Sequence, residues 1–222
     1  MKKTLIISPH PDDETLGCGG TILKYKSKKT IIDWLIITSM EGNKQYTTKD
    51  KKIREKQILK VKKMYGFNKV YELGLPTTKL DEIPISKIVQ KVSRVIKNSK
   101  PKVIFSNFYG DVHTDHKIIS KVVSSCTKNF RAPFVEKIML YETLSETGYS
   151  HNKKKDNFVP NVFVDISNFM KKKIRIMKVY KSEIMKGYKP RSMFALDALA
   201  KFRGVSINCK YAEAFMLIYE KQ

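Results

Sequence analysis

The chain has 222 residues, of which 41% are hydrophobic, 29% charged and 10% aromatic, a balance that supports a packed core and excludes a disordered or fibrous chain. Its length fits one domain over 1–222. Lysine and arginine total 44 against 21 acids, a formal charge of +23, yet only positions 54, 94, 131, 175, 191 and 203 are arginine, so the guanidinium forks that read nucleic-acid bases are scarce.

In chain order, 4–8, 31–38, 70–73 and 103–106 are short runs rich in Ile, Val and Leu, bounded by Pro, Gly or Asn, and read as buried strands. Between them 14–25, 49–65 and 85–98 read as helices. In the second, Ile53, Ile58, Val61 and Tyr65 recur at helical spacing, and Gly66 closes it. A fourth helix is expected at 115–128. Four successive βα units predict an α/β fold: a Rossmann-like, three-layer arrangement with a mostly parallel, doubly wound sheet of core order 3-2-1-4-5-6. Beyond Pro133 the pattern predicts strands at 135–141 and 159–166, a Lys-rich helix near 167–186, another near 191–203 and a last strand at 215–219. The segment 145–160, with Gly148, Asn152 and three lysines, reads as a mobile surface loop.

The lysines are spread along the whole chain, so runs such as 153–155 and 171–173 read as solvated faces. Nucleic acid is therefore not the expected partner, while an anionic substrate stays compatible with the charge. Cys18, Cys126 and Cys209 are odd in number and widely spaced, which fits reduced thiols and a cytoplasmic protein. The apolar stretch after Met1-Lys2-Lys3 is too short for a signal sequence or a membrane span.

The first strand runs into Pro9-His10-Pro11-Asp12-Asp13-Glu14, an imidazole and three carboxylates in five residues. Adjacent carboxylates repel unless a cation or hydrogen bonds compensate them, and the neighbouring His suggests a divalent metal that takes N and O ligands. A second cluster, Asp111-Val112-His113-Thr114-Asp115-His116, follows the fourth strand. In the expected order strands one and four are neighbours at the switch point where open α/β sheets bind ligands. A His and an Asp from the first loop plus a His from the second would make a three-ligand site with a position open to water. Gly17-Cys18-Gly19-Gly20 is not a dinucleotide fingerprint, because the third position falls on Ile22 and the run lies inside a helix; close helix-to-sheet packing is the expected use.

The two clusters resemble the paired motifs of the PIG-L, or LmbE-like, family of zinc-dependent N-acetyl-sugar deacetylases. Residues 9–14 match PHPDDE in full, and His113-Thr114-Asp115-His116 matches HxDH. The resemblance implies that His10, Asp13 and His116 bind Zn2+, a donor set that Fe2+, Co2+ or Mn2+ also suit. It implies Asp12 as general base, His113 as stabiliser of the oxyanion, and Asp115 as the carboxylate that holds the His113 ring. Glu14 is read as structural. Arg54 stands where the family carries an Arg after its second strand and is expected to clamp a sugar hydroxyl or phosphate. Arg203-Gly204 and Tyr211-Ala212-Glu213-Ala214-Phe215 resemble the family's RG…AExF segment, expected to line or support the pocket. Two positions depart from the pattern: Met40 replaces the Gly of a TxGE-like turn, and Asp111 stands where some members have Tyr.

The implied activity is hydrolysis of the acetyl group from an N-acetylated amino sugar, a GlcNAc-type unit on a nucleotide, lipid or small aglycone; a homo-oligomer is compatible. Two other readings fit parts of the sequence. One is a basic protein that holds anionic glycan or nucleic acid on a deacetylase-like fold, and the other a hydrolase of a non-sugar amide. Asp12 weighs against the binder, which has no use for a general base beside the ligands.

Overall fold

The computed structural model describes residues 3–222, so the basic start at Met1-Lys2 lies outside the described residues. One sheet contains β1 (Thr4–Ser8), β2 (Ile32–Ser39), β3 (Val70–Pro76), β4 (Val103–Asn107), β5 (Lys137–Tyr141), β6 (Val162–Asp165) and β7 (Ala212–Glu220). The helices are α1 (Asp13–Ser27), α2 (Thr48–Tyr65), α3 (Ile85–Ser99), α4 (Thr114–Cys126), α5 (Met170–Met177) and α6 (Met193–Val205), with a 3-10 turn at Leu80–Glu82.

The central strands are apolar at nearly every position because both faces of the sheet are covered and successive side chains point opposite ways. Ile6, Trp34 and Phe105 enter one core with residues of α1, α5 and α6; Leu5, Ile7, Leu35, Ile37 and Ile104 enter the other with α3 and α4. Among the described residues, no helix is long and apolar enough to cross a membrane.

The sheet order is β3-β2-β1-β4-β5-β7-β6, which corrects the expected 3-2-1-4-5-6 at its end. The first five strands pair in parallel as expected, but β7 lies antiparallel between β5 and β6. Residues 142–161 cross from β5 to β6 without a helix and leave one ladder position open between them. The last strand fills it and satisfies the backbone groups of both neighbours.

Two helices also differ from expectation. The Lys-rich helix is confined to α5, because Tyr180, fully buried, turns away from its end to donate a hydrogen bond to Glu14. On α2 the inward face is Arg54, Gln57, Ile58, Val61 and Tyr65, while Ile53 is 42% exposed. A small rotation about the helix axis thus carries Arg54 to the core side. The start of α2 is held by reciprocal hydrogen bonds of Thr47 and Asp50, and Gly66 ends it at φ 71°.

The glycine run of α1 serves packing. A Cβ at Gly17 would lie 2.2 Å from the Tyr141 ring, and one at Gly20 2.7 Å from Ile166. The helix is broken at Cys18 (φ −142°, ψ 20°). Glu213 accepts from the Gly20 and Thr21 N–H groups at 2.8 and 2.7 Å, while the buried Lys173 ammonium donates to Glu213 at 2.7 Å and to the Leu16 carbonyl at 2.9 Å. An ion pair between β7 and α5 thereby satisfies the polar groups freed at the break.

At the opposite end of the sheet, Asp33 is fully buried and accepts from Lys3, Ser99 and Asn68. Burial alone would raise its pKa, but these bonds and the Lys3 charge hold it below the ordinary carboxylate value. Its contribution to stability is therefore fully present above the unfolded pKa near 4 and is lost as pH falls through the lower folded value. Unfolding free energy measured by urea below about pH 4 should fall less steeply in Asp33→Asn than in the wild type; equal slopes would exclude Asp33 as an acid-sensitive anchor.

Candidate metal centre and its pocket

β1 and β4 are hydrogen-bonded neighbours, so the loops at their carboxyl ends meet. His10 sits between Pro9 and Pro11, whose rings restrict the backbone, and the chain enters α1 through Asp12 at φ 136°, ψ −25°. A non-glycine residue there is strained, and such strain persists where the surroundings impose it. Glu14 imposes part of it: its buried carboxylate accepts from the Asp12 N–H (3.0 Å), the Thr15 hydroxyl (2.6 Å) and the Tyr180 hydroxyl (2.9 Å). Burial pushes Glu14 up to about 7 against these bonds.

His10 Nδ1 lies 3.3 Å from His116 Nε2 and 3.5 Å from Asp13 Oδ2, and His116 Nε2 lies 3.4 Å from Asp13 Oδ2. Donor atoms around a tetrahedral ion with bonds of about 2.0–2.1 Å stand roughly 3.3–3.4 Å apart. The three residues therefore fit a divalent cation without rearrangement. The far nitrogen of each imidazole is held by a carboxylate: His10 Nε2 donates to Asp115 Oδ2 (3.0 Å) and His116 Nδ1 to Asp111 Oδ2 (2.8 Å). Each bond selects the tautomer that aims a lone pair at the shared centre.

Burial by itself would lower both imidazole pKa values. Asp115 and Asp13 instead raise His10 to about 9, and Asp13 and Asp111 raise His116 to about 10. Burial would raise Asp13, but the two imidazoles hold it well below the usual range. The carboxylates gather positive charge at this point.

Asp12 is 4% exposed, and its Oδ2 has no hydrogen-bond partner. Burial, then Asp13 and Glu183, raise its pKa well above the ordinary value, with Arg54 opposing. His113 caps α4: its Nδ1 accepts the Asp115 N–H at 3.1 Å, which leaves the other nitrogen to carry the proton. Burial and then the neighbouring imidazoles lower His113 to about 4, so it is neutral at physiological pH.

Two expected site residues make contacts that the sequence did not suggest. The Asp115 carboxylate accepts from His10 and from the Thr78 and Leu80 N–H groups, and the His113 ring is held by the Asp115 N–H instead of by the carboxylate. Arg54 is 6% exposed and turned to protein partners: it donates to the Pro11 carbonyl at 2.7 Å and pairs with Glu183, leaving only Nε without a partner. It braces the Asp12 turn. The loop read as mobile is anchored at its start, where the Thr147 hydroxyl donates to Asp111 at 2.6 Å and the Val112 N–H to the Glu146 carbonyl.

These groups open into a cavity of about 430 Å3 that is also lined by Met40, Tyr46, Arg54 and Ile58, a size suited to a small organic ligand. Glu183 and Arg191 line it too. Local pattern did not single them out, because they lie in a Lys-rich stretch whose course depends on Tyr180 docking against Glu14. Arg203 is not among the residues lining this cavity; it forms a two-pronged pair with Glu142 (2.8 and 2.7 Å).

The chain is similar to known proteins in sequence and in fold. A diacetylchitobiose deacetylase of Thermococcus kodakarensis is 24% identical over 98% of this chain and 84% of its own. A probable N-acetyl-alpha-D-glucosaminyl L-malate deacetylase of Bacillus anthracis is 21% identical over 82% of this chain and 81% of its own. A solved structure of a conserved protein from Thermus thermophilus superposes with a TM-score of 0.79 at 26% identity, covering 100% of this chain and 97% of that one. The profile described as PIG-L, GlcNAc-PI de-N-acetylase, matches residues 5–127, and the chain belongs to the PIG-L family.

Proposed function

We propose that the protein hydrolyses the acetamide of an N-acetylated amino sugar of GlcNAc type, releasing acetate and a free amine, with Zn2+ held by His10, Asp13 and His116. The observation that carries this reading is an unpartnered, buried Asp12 oxygen beside three donor atoms spaced for one cation. Both curated relatives carry deacetylase names that specify such sugars. A divalent ion in this donor set supplies Lewis acidity, which acidifies water and polarises a carbonyl.

The chain's own residues divide the remaining work. Asp12 Oδ2, free of other hydrogen bonds, accepts a proton from the attacking water and returns it to the departing nitrogen as the C–N bond breaks. His113, neutral and with Nδ1 engaged by the Asp115 N–H, presents its second N–H to the carbonyl oxygen as negative charge develops there. Asp115 and Asp111 keep the two imidazoles in register, and the prolines with Glu14 and Arg54 hold the Asp12 turn.

The test is amine release from a panel of N-acetylglucosamine derivatives by chelated and Zn-restored protein. Turnover should vanish on chelation and return with zinc. His10→Ala and His116→Ala should each lower metal content below that of the wild type while the circular dichroism spectrum stays native, since each removes a ligand. No amine from any sugar with full metal loading would overturn the reading.

A further inference from the structure

We propose that the group joined to the sugar in this protein's substrate is uncharged or cationic, and that the outer wall of the cavity selects against anionic groups. The inference rests on the deacetylase reading and deepens it. With the cation-site residues His10, Asp12, Asp13 and His116 set aside, the charged lining consists of Glu41, Glu55, Glu72, Glu146 and Glu183 against Lys51, Arg54 and Arg191. Each of these cations already faces a carboxylate. Lys51 pairs with Glu41 at 3.0 Å, Arg54 pairs with Glu183, and Arg191 lies 3.9 Å from Glu183. Among the described residues, Glu55 and Glu72 have no cation within ion-pair distance. Partial burial and then the Glu55 charge raise the Glu72 pKa, with Lys62 opposing.

A phosphate or carboxylate entering this space would meet carboxylates that no lining cation pairs with, whereas an amine would find partners. Apolar surface from Met40, Tyr46 and Ile58 in the same cavity suits the face of a sugar ring. At the inner end, the unpartnered Asp12 oxygen marks where the ligand is worked upon. The chain's charge of +23 was compatible with an anionic substrate; the lining of the cavity favours the opposite charge. Lysines collect on solvated helix faces, where their ammonium groups stay hydrated. The sheet's carboxyl end instead gathers carboxylates around a cation site.

Three N-acetylglucosaminides that differ only in aglycone test this: methyl, aminoethyl and a malate-type dicarboxylate. With Zn-loaded protein, kcat/KM should be about tenfold or more higher for the aminoethyl than for the dicarboxylate glycoside, with the methyl glycoside between them. The gap should narrow with added salt. It should close by about threefold or more in the Glu55→Gln/Glu72→Gln double variant, with the methyl glycoside little changed. Binding of the same three compounds to zinc-loaded Asp12→Asn protein, measured by calorimetry, supplies a ranking that needs no turnover. Absence of amine from all three with that ranking intact would refute the deacetylase reading alone. A dicarboxylate bound or hydrolysed as well as the amine would overturn the present inference.

Discussion

Asp12→Asn should lower amine release by about 10²–10⁴-fold without reducing bound metal, because it removes a proton acceptor and leaves every donor atom of the cation site in place. Its backbone at φ 136° adds a second, opposite effect. Asp12→Gly relieves strain worth about 1–3 kcal/mol and also removes a buried carboxylate beside Asp13. That variant should therefore be inactive yet melt at a higher temperature than the wild type. Kinetics, metal analysis and thermal unfolding on the two variants check the pair of effects. Wild-type turnover by Asp12→Asn would remove Asp12 from the chemistry; a destabilised Asp12→Gly would show that the turn carries no strain.

Glu213→Ala should destabilise the protein by about 3–5 kcal/mol, the cost of leaving the buried Lys173 ammonium unpaired. Total stability of a domain this size is about 5–15 kcal/mol, so the loss threatens folding at physiological temperature. The two backbone donors at Gly20 and Thr21 lose their acceptor as well. Glu213→Gln with Lys173→Met should recover part of the loss, since no lone charge remains and the amide oxygen can still accept from the kink. Urea midpoints at constant slope measure both. A Glu213→Ala protein within about 1 kcal/mol of the wild type, the usual range for surface changes, would mean that the broken helix needs no such support.

Much of the candidate site was legible in sequence because its candidate ligands sit in two short motifs. His10 and Asp13 are three residues apart on one turn, and His116 opens a helix whose preceding strand pairs with β1. Once the four βα units are recognised, parallel sheet topology places both turns at one switch point. The contacts of the Asp115 carboxylate were not legible, for a different reason. The hydrogen bond of Asp115 with its neighbour in sequence, His113, runs through the backbone N–H; its carboxylate accepts from His10 and from Thr78 and Leu80, residues remote in the chain. Arg54 was legible as a residue of the site but not in its contacts, since helical spacing pointed to Ile53 as the inward position.

The amino-acid order by itself determined most of the strands and helices and which residues are candidates to bind a cation, because hydrophobic period, capping and adjacency of His with Asp act over a few residues. Only the tertiary structure decided where β7 docks, which carboxylate steadies which imidazole, and that a strongly basic chain walls its pocket with acids. Those outcomes depend on distances between groups far apart in sequence, and electrostatic and hydrogen-bond energies are set by such distances.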